Sequence, residues 1–353
     1  MELSNEQIQN LLEWYMANKR DLPWRNRCTP YEIWISEVML QQTRVEAVKE
    51  RFALFLRELP TIDDLAKCED DRLLKLWEGM GYYSRARNLK KCAAEVMEHY
   101  DGILPEDPQK LRKLPGIGPY TSGAIASIAY GVATPAVDGN VLRILMRYFD
   151  DFSDINKEQT KRMYEEVIRN YYASVTLSKE EVSDLTQAFM ELGAIVCVPN
   201  GDPLCESCPW RADCLARKRG HLNEIPNRKT KIERPVVLKT VLILRYENQI
   251  LLTRRPDSGL LAGMYEYPCL SGKLTEEEVR SAVEKTYGRI RKIKKLPDAR
   301  HIFSHLEWQM CGYEIQLETI KEAEGIIAVE GKNARDYAIP SAYQTYTKHY
   351  RDS

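Results

Sequence analysis

Apolar positions recur at helical spacing through roughly the first 220 residues of the chain. In the first such segment Asn5 is a candidate N-cap, and the apolar positions that follow it are Ile8, Leu11, Leu12 and Tyr15. Residues 31–48 and 85–100 repeat the pattern, and strand signals in this part of the chain are weak. The pattern therefore predicts an all-α domain over residues 1–220.

The pattern of apolar and polar residues changes after residue 220. Residues 221–235 are polar and contain Pro226 and Pro235, which is typical of a linker. Beyond it, β-rich or alternating runs predict strands at residues 236–244, 249–253, 264–268 and within 301–317, and helical spacing appears at 275–287. We therefore predict a second, smaller α+β domain over residues 236–353.

Composition excludes fewer classes of function than the hydrophobic pattern does. The net charge is −1, so nothing in the bulk composition indicates a polyanionic partner, and DNA binding would require basic residues sorted onto one face. No run of 18 apolar residues is present, so we expect no membrane span and a cytoplasmic protein.

Four cysteines lie within 18 consecutive residues, in the pattern C-x7-C-x2-C-x5-C: Cys197, Cys205, Cys208 and Cys214. Four thiolates at such spacing are typical of a metal centre, either a [4Fe–4S] cluster or a zinc site. Sequence chemistry alone leaves both possibilities open.

A second signal is the run LPGIG at residues 114–118. Gly116 and Gly118 flank an aliphatic residue, which allows a tight turn whose backbone N–H groups point outward at the start of a helix. Such a turn suits a DNA phosphate, as in a helix-hairpin-helix motif. An ordinary connection between two helices is the alternative.

Asp138 follows Gly118 by 20 residues. Taken alone, it is most simply the N-cap of the next helix. LPGIG, Asp138 and the four cysteines, in that order, resemble the helix-hairpin-helix DNA glycosylase superfamily that carries an iron–sulfur cluster, which includes endonuclease III. The resemblance implies an all-α glycosylase domain with a [4Fe–4S] cluster on the four cysteines, although the family's first interval is usually C-x6-C.

Three further segments are similar to the MutY-type adenine glycosylases of that superfamily: residues 20–25 (RDLPWR), 35–43 (ISEVMLQQT) and 79–86 (GMGYYSRA). Lyase members of the superfamily carry a lysine where this chain has Tyr120. A phenol cannot form the Schiff base that a lysine forms with the sugar. The resemblance therefore implies a monofunctional DNA glycosylase.

The resemblance also assigns catalytic roles. Glu37 would be the general acid that protonates adenine, and Asp138 would stabilise the oxocarbenium-like sugar or bond to it. Tyr120 would hydrogen-bond Asp138, and Asn140 would orient the same carboxylate. Without the resemblance, Glu37 would be interpreted as a solvated helix glutamate.

A base inside the duplex must be flipped out before it can react. In the family pattern Gln42 and Tyr82 wedge into the duplex, while Trp24, Arg25 and Gln187 line the adenine pocket. The remaining DNA contacts that the resemblance implies are Thr43, Gly116 and Gly118. Core packing is the alternative interpretation of Trp24 and Tyr82.

The C-terminal domain looks like the MutT-like (Nudix-like) domain of the same family, on residues 260–268 (LLAGMYEYP). Residues 272–288 lack the metal-binding helix pattern of a Nudix hydrolase. The domain is therefore interpreted as a reader and not an enzyme. Residues 301–305 (HIFSH) resemble the loop that recognises 8-oxoguanine in the family, which implies that Phe303, Ser304 and His305 read that base.

Together these features predict a monomeric base excision repair enzyme that hydrolyses the N-glycosidic bond of adenine mispaired with 8-oxoguanine or guanine in double-stranded DNA. A thymine-DNA mismatch glycosylase of the same superfamily is one alternative. A zinc-knuckle DNA-binding protein without catalysis is another.

Overall fold

The computed structural model describes residues 1–26, 29–227 and 233–351. The chain divides into two compact units, one of residues 1–67 with 88–230 and one of residues 68–87 with 231–353. Residues 228–232, part of the predicted linker, lie outside the described residues.

Helices make up the first unit. In chain order the helices of the protein are α1 (Asn5–Asn18), α2 (Pro30–Leu40), α3 (Val45–Glu58), α4 (Ile62–Lys67), α5 (Asp70–Leu76), α6 (Ser84–His99), α7 (Pro108–Leu111), α8 (Pro119–Ala124), α9 (Gly139–Phe149), α10 (Glu158–Ser174), α11 (Lys179–Ile195), α12 (Leu215–Arg219), α13 (Glu276–Thr286) and α14 (Gln344–Arg351). Helices α5, α13 and α14 belong to the second unit, and α6 begins there and continues into the first.

The first helix starts one residue earlier than the candidate cap implied. Ser4, not Asn5, is the N-cap: its hydroxyl accepts from the Gln7 backbone N–H at 3.3 Å, and the Gln7 side chain accepts from the Ser4 backbone N–H at 2.9 Å. This reciprocal capping box satisfies two backbone donors at once, which a lone Asn5 cap would not do.

One apolar cluster packs α9 and α11, two of the helices that position candidate site residues, against α1 and α10. It contains Ile8 of α1, Leu145 of α9, Tyr164 of α10 and Leu185 of α11, each fully buried. Because α9 and α11 are both anchored in this cluster, the residues at the start of α9 and along α11 are held at fixed positions.

The second unit contains a mixed sheet. Its strands are β1 (Val236–Tyr246), β2 (Gln249–Arg254), β3 (Tyr265–Glu266), β4 (Cys269–Ser271), β5 (Ile290–Ile302), β6 (Glu307–Leu317) and β7 (Ile326–Glu330). Within the described residues the main order is β3-β2-β1-β6-β5; β1 and β6 run parallel, and the other pairs are antiparallel. Most of β5 and all of β4 and β7 were not predicted.

Both faces of the sheet are buried. Val241 and Ile243 of β1 belong to a cluster with Tyr346 of α14, whereas Leu242 and Leu244 face Val279 and Val283 of α13. Burial of both faces explains why β1 reads as a nearly continuous apolar run.

Residues 68–87 pack within the second unit through specific hydrogen bonds. The Tyr265 hydroxyl donates to Asp71 at 2.7 Å, and the Arg87 guanidinium donates to the Ala262 carbonyl at 2.7 Å. In the part of the chain that the structure describes, no helix combines the length and the apolar character needed to cross a bilayer.

Candidate active site

Glu37 lies on α2, a helix buried along most of its length. Thr29 caps this helix: its hydroxyl accepts from the Glu32 backbone N–H at 3.3 Å, and Glu32 accepts from the Thr29 N–H at 2.6 Å. The Glu37 side chain points into the protein, and the residue is only 5% exposed. Glu37 is therefore a buried acid and not a solvated helix glutamate.

Asp138 is the N-cap of α9. One of its carboxylate oxygens accepts from the backbone N–H groups of Asn140, at 2.9 Å, and Val141, at 2.8 Å. The other accepts from the Asn140 side-chain amide at 2.9 Å, so the expected contact between Asn140 and this carboxylate is present. Asp138 is thus the N-cap of α9, and the same hydrogen bonds would orient its carboxylate for a catalytic role.

Tyr120, at the start of α8, bonds to the other carboxyl group. Its hydroxyl donates to Glu37 Oε2 at 2.6 Å, and not to Asp138 as the sequence interpretation expected. The physical reason is that Asp138 already accepts three hydrogen bonds from α9, whereas the carboxyl group of Glu37 gains its donor from Tyr120.

The two acids lie within electrostatic reach of each other. Burial raises the pKa of Glu37 to about 7, and the nearby charge of Asp138 adds to the rise. Burial also raises the pKa of Asp138, but the hydrogen bonds from Val141 and Asn140 oppose that rise. The two carboxyl groups therefore share one environment, and Asp138 has more donors that favour its ionised form.

A buried cluster of ion pairs, formed by Glu191 with Arg20 and Arg25, lies near these two acids. The carboxylate of Glu191, on α11, is fully buried and accepts from the guanidinium groups of Arg25 at 2.7 Å and Arg20 at 2.7 and 2.8 Å. Burial opposes ionisation of Glu191, but the hydrogen bonds from Arg20 and Arg25 outweigh it and lower its pKa to about 2. Glu191 was missed in the sequence, although it follows Gln187 by four positions on α11 and so shares its face.

The other candidate pocket residues of the first unit occupy defined positions. Trp24 is buried, with its ring edge-on to Phe52 at a centroid distance of 5.5 Å. The Gln187 side chain donates to the Ser183 hydroxyl at 3.3 Å. Gln42 has a left-handed backbone (φ 58°), and Thr43 lies next to it with its hydroxyl directed to the Gln41 carbonyl at 3.4 Å.

Tyr82 belongs to the second unit. Its backbone is also left-handed (φ 46°), and its side chain is 47% exposed, with the Arg85 guanidinium 5.7 Å from the ring centroid. A side chain so exposed is not a core residue, in contrast to Trp24. A strained backbone that presents an exposed aromatic ring is typical of a functional position.

The LPGIG run forms the turn between α7 and α8. Gly116 has φ 75°, and a Cβ there would lie 2.7 Å from Asn88 Cβ, so only glycine fits. Gly118 is the N-cap of α8 and has open space where a side chain would be. The backbone at this turn is therefore accessible to a ligand.

The four cysteines line one cavity behind the end of α11. Trp210, Arg147 and Arg217 also line it. The Arg147 guanidinium lies 3.3 Å from Cys197 Sγ. Among residues 1–26, 29–227 and 233–351, no group of three or more His, Cys, Asp or Glu side chains is arranged to hold a metal ion.

Arg143 connects the candidate acid to the cysteine segment. This buried side chain of α9 donates to Asn140 Oδ1 at 2.9 Å, to the Gly193 carbonyl at 2.7 Å and to the Cys197 carbonyl at 2.7 Å. Gly193 packs so closely that a Cβ there would lie 2.6 Å from Asn140 Cβ. The amide that contacts Asp138 is thus held from two sides.

The candidate reader residues form the turn between β5 and β6. The Phe303 backbone N–H donates to the Leu306 carbonyl at 2.8 Å and closes the turn, which leaves Ser304 and His305 exposed at its tip. The Phe303 ring lies between His301 and Trp308, at centroid distances of 4.6 and 4.8 Å.

Two polar contacts brace this turn further. Arg300 and Glu307 form a two-point ion pair at 2.7 and 2.6 Å, and Arg234 donates to the Ser304 carbonyl at 3.2 Å. The Ser304 hydroxyl lies 3.4 Å from His305 Nδ1. The backbone of the tip is therefore fixed, while its polar side chains face solvent.

Comparison with known families defines the class of protein first. The family model described as HhH-GPD superfamily base excision DNA repair protein matches residues 35–170, and a NUDIX domain model matches residues 240–349. The predicted fold class, a helix-hairpin-helix domain followed by a Nudix-like α+β domain, is confirmed, and the chain is a DNA glycosylase.

Curated relatives then define the family. An adenine DNA glycosylase of Buchnera aphidicola subsp. Baizongia pistaciae is 33% identical over 302 residues, which cover 84% of this chain and 82% of that protein. The adenine DNA glycosylase of Mus musculus is 33% identical over 367 residues, covering 88% of this chain and 70% of that protein. The chain belongs to the adenine DNA glycosylase family.

Solved structures resemble the helical part. A thermostable thymine-DNA glycosylase has a TM-score of 0.53 and 26% identity and covers 61% of this chain and 97% of its own. An endonuclease III in a non-covalent complex with DNA has a TM-score of 0.51 and 26% identity, with coverage of 62% and 98%.

The raised pKa of Glu37 predicts a measurable effect on stability. Between about pH 4.5 and about pH 7 the unfolded chain loses this proton and the folded chain keeps it, so folding stability falls as pH rises through this window. The variant Glu37→Gln should therefore be more stable than the parent above about pH 7, by roughly 3 kcal/mol.

Thermal unfolding of both proteins at several pH values measures this difference. Below about pH 4.5 the two should have similar stability, because the parent side chain is protonated in both the folded and the unfolded states. A difference that is independent of pH would contradict the burial of an ionisable group at this position.

Proposed function

We propose that this chain is a monofunctional adenine DNA glycosylase that removes adenine opposite 8-oxoguanine or guanine in duplex DNA. The observation that carries the proposal is the pair of buried acids, Glu37 and Asp138, which lie within electrostatic reach but have different hydrogen-bond partners. Membership of the adenine DNA glycosylase family and the DNA-bound endonuclease III neighbour support DNA as the substrate.

The proposed reaction assigns one acid to each half of the nucleotide. Glu37, with its pKa of about 7, is protonated in a substantial fraction of molecules at neutral pH and transfers that proton to a ring nitrogen of the flipped adenine. The bond between C1′ and the base then breaks, and its electron pair leaves with the adenine. The ionised carboxylate of Asp138 stabilises the positive sugar until water adds at C1′ and loses a proton to the Glu37 carboxylate, which restores the acid.

Neighbouring side chains position these acids. Asn140 and the two backbone donors of α9 hold the Asp138 carboxylate in one orientation, and Tyr120 holds that of Glu37. Since Tyr120 offers a phenol and no amine, the sugar is not captured as an imine, and the product is an abasic site.

We assign DNA and base binding to the remaining candidate residues. Arg25, held by the buried Glu191, would present a fixed charge to the adenine pocket together with Trp24 and Gln187. Duplex distortion and backbone contacts are assigned to Gln42, Thr43, Tyr82, Gly116 and Gly118. The proposed domain boundaries remain those from the sequence, with a glycosylase domain at 1–220, a linker at 221–235 and the reader domain at 236–353.

We also propose that Cys197, Cys205, Cys208 and Cys214 hold a [4Fe–4S] cluster. The chemistry of the donors suits such a cluster, since four cysteine side chains border one largely apolar cavity and arginine guanidinium groups beside it suit a negatively charged centre. A cluster there would order residues 197–214, which contact Arg143 through the Cys197 carbonyl. The extra residue in the first interval lies in the loop before Cys205.

Ser304 and its neighbours are the proposed reader of the base opposite adenine. An exposed hydroxyl on a fixed turn can hydrogen-bond the edge of an oxidised guanine, with Phe303 and His305 beside it. Because the excision residues and the reader turn lie in one chain, we propose that a monomer acts on the duplex, in the cytoplasm at the nucleoid.

The test of the proposed function is adenine excision. Under single-turnover conditions the parent should release adenine from duplexes with A·8-oxoG, at a rate that falls as pH rises above about 7, because Glu37 loses its proton. Glu37→Gln should lower the rate by roughly 10²- to 10⁴-fold, since an amide cannot supply the proton. The exposed Glu98→Gln is the control and should match the parent.

The same assay separates the rival substrates. Release of thymine from T·G duplexes with none of adenine would favour a thymine mismatch glycosylase. DNA binding with no base release from either duplex would favour a binding protein.

The cluster proposal predicts a coloured protein. Purified protein should absorb at roughly 400 nm and contain about four iron atoms per chain, and Cys205→Ser should lose both iron and absorbance. Cys269→Ser, outside the tetrad, should keep both. Colourless protein with one bound zinc would contradict the proposal.

The reader proposal predicts that a change at Ser304 alters the preference between A·8-oxoG and A·G duplexes and not the excision step itself. Ser304→Ala should reduce the preference for A·8-oxoG over A·G by roughly fivefold, the effect of about one hydrogen bond, and leave the excision rate on A·G unchanged. Ser258→Ala, also exposed in the second unit, is the control. Equal losses on both substrates would reject the reader role.

A further inference from the structure

The long strand β5 is unusually basic for this chain. Residues 289–295 include Arg289, Arg291, Lys292, Lys294 and Lys295 and no acid, in a protein whose net charge is −1. Within the described residues β5 pairs only with β6 and forms an edge of the sheet. The side chains of this run are exposed to solvent apart from the apolar ones that anchor the strand.

Of these five cations only Arg289 has an ion pair among the described residues, with Glu318, so Lys292 and Lys294 have none. Lys292 lies opposite Gln316 on β6, which is neutral. Lys294 lies opposite Glu314, but that carboxylate is 3.0 Å from the guanidinium of Arg245. The positive charge of Lys292 and Lys294 is therefore not balanced by the neighbouring strand.

The two faces of β5 differ in charge. Lys292 and Lys294 share the face of Leu296, against which α14 packs, and α14 has no acidic residue and adds the exposed Lys348. Lys295 lies on the opposite face, next to Tyr313, where Glu276 and Glu278 of α13 lie within electrostatic reach. The acids near the α14 face, Glu314 and Asp298, are each paired with another cation, Arg245 and Lys273, so positive charge is in excess on that face.

Protection of an open sheet edge is the simplest explanation of lysines on such a strand. That role is served by a charge on either face. It does not explain why acids accompany Lys295 on one face, whereas the acids near the other face are paired with other cations. A negatively charged ligand on the α14 face explains the difference, because it supplies the missing counter-charge.

We propose that Lys292 and Lys294 bind the phosphate backbone of the duplex whose lesion faces Ser304, an inference that rests on the proposed function. The strand runs directly into the reader turn, and Lys294 precedes Phe303 by nine residues. At ~3.3 Å per residue this separation is roughly 30 Å, close to one helical turn of B-DNA, about 34 Å. One duplex can therefore contact both the reader turn and the two lysines. The two contacts would lie about one helical turn of DNA apart.

The test is the salt dependence of DNA binding by the full chain. Each phosphate contact contributes about 0.9 to the slope of log K against log salt concentration. The double variant Lys292→Gln/Lys294→Gln should lower that slope by about 2 on a duplex that extends 15 base pairs to each side of the mispair (roughly 1.5 turns). On a duplex with about 5 base pairs on each side, half a turn, variant and parent should have the same slope.

The matched control removes two charges from the other face, in Lys285→Gln/Lys295→Gln, and should keep the parent slope on both duplexes. An equal fall in slope for both double variants would overturn the proposal, since it would show an effect of net charge. An unchanged slope with aggregation of the first variant would also overturn it, in favour of edge protection. Adenine release by the parent at low salt checks the proposed function separately.

Discussion

The removal of one carboxyl group from water is the constraint on which the active site depends. An ionised carboxylate in an apolar interior is unfavourable unless it is paired, so burial on α2 keeps the proton on Glu37 up to near neutral pH. The same burial that makes this position unfavourable for folding makes the group an acid of useful strength. The apolar packing of α2 is therefore part of the chemistry and not only of the fold.

Glu191 and Asp138 show how hydrogen-bond partners give buried carboxyl groups different pKa values. Glu191 is buried, as Glu37 is, but it stays ionised because two guanidinium groups surround it. Those contacts also engage Arg25, whose charge would otherwise favour ionisation of Glu37 more strongly. Asp138 lies between these extremes, held by the donors at the start of α9.

The sequence allowed much of this arrangement to be predicted. The helical period, the LPGIG turn and the order of the motifs indicated the fold, and the resemblance selected Glu37 and Asp138. The partner of Tyr120 was predicted wrongly, because it depends on which acid has unused acceptor capacity, and this is visible only in three dimensions. Glu191 was missed because a glutamate on an amphipathic helix is ordinarily a solvated residue.

The second unit was harder to predict for a different reason. Strand β5 contains many charged residues and Pro297, so it lacks the alternating apolar pattern by which strands are recognised. Its pairing with β6 and the few apolar residues packed on the two clusters keep it in the sheet. The position of Ser304 at the end of a long hairpin follows from that pairing and could not be inferred from the tripeptide itself.

The close approach of Gly193 to Asn140 has a consequence for how this enzyme family can vary. The contact leaves no room for a methyl group, so the separation of α9 and α11 at this point is fixed by the absence of a side chain. Any larger residue would shift the amide that orients Asp138. Substitution at position 193 is thus restricted to glycine, because a Cβ atom there would displace Asn140 next to the proposed sugar-binding carboxylate.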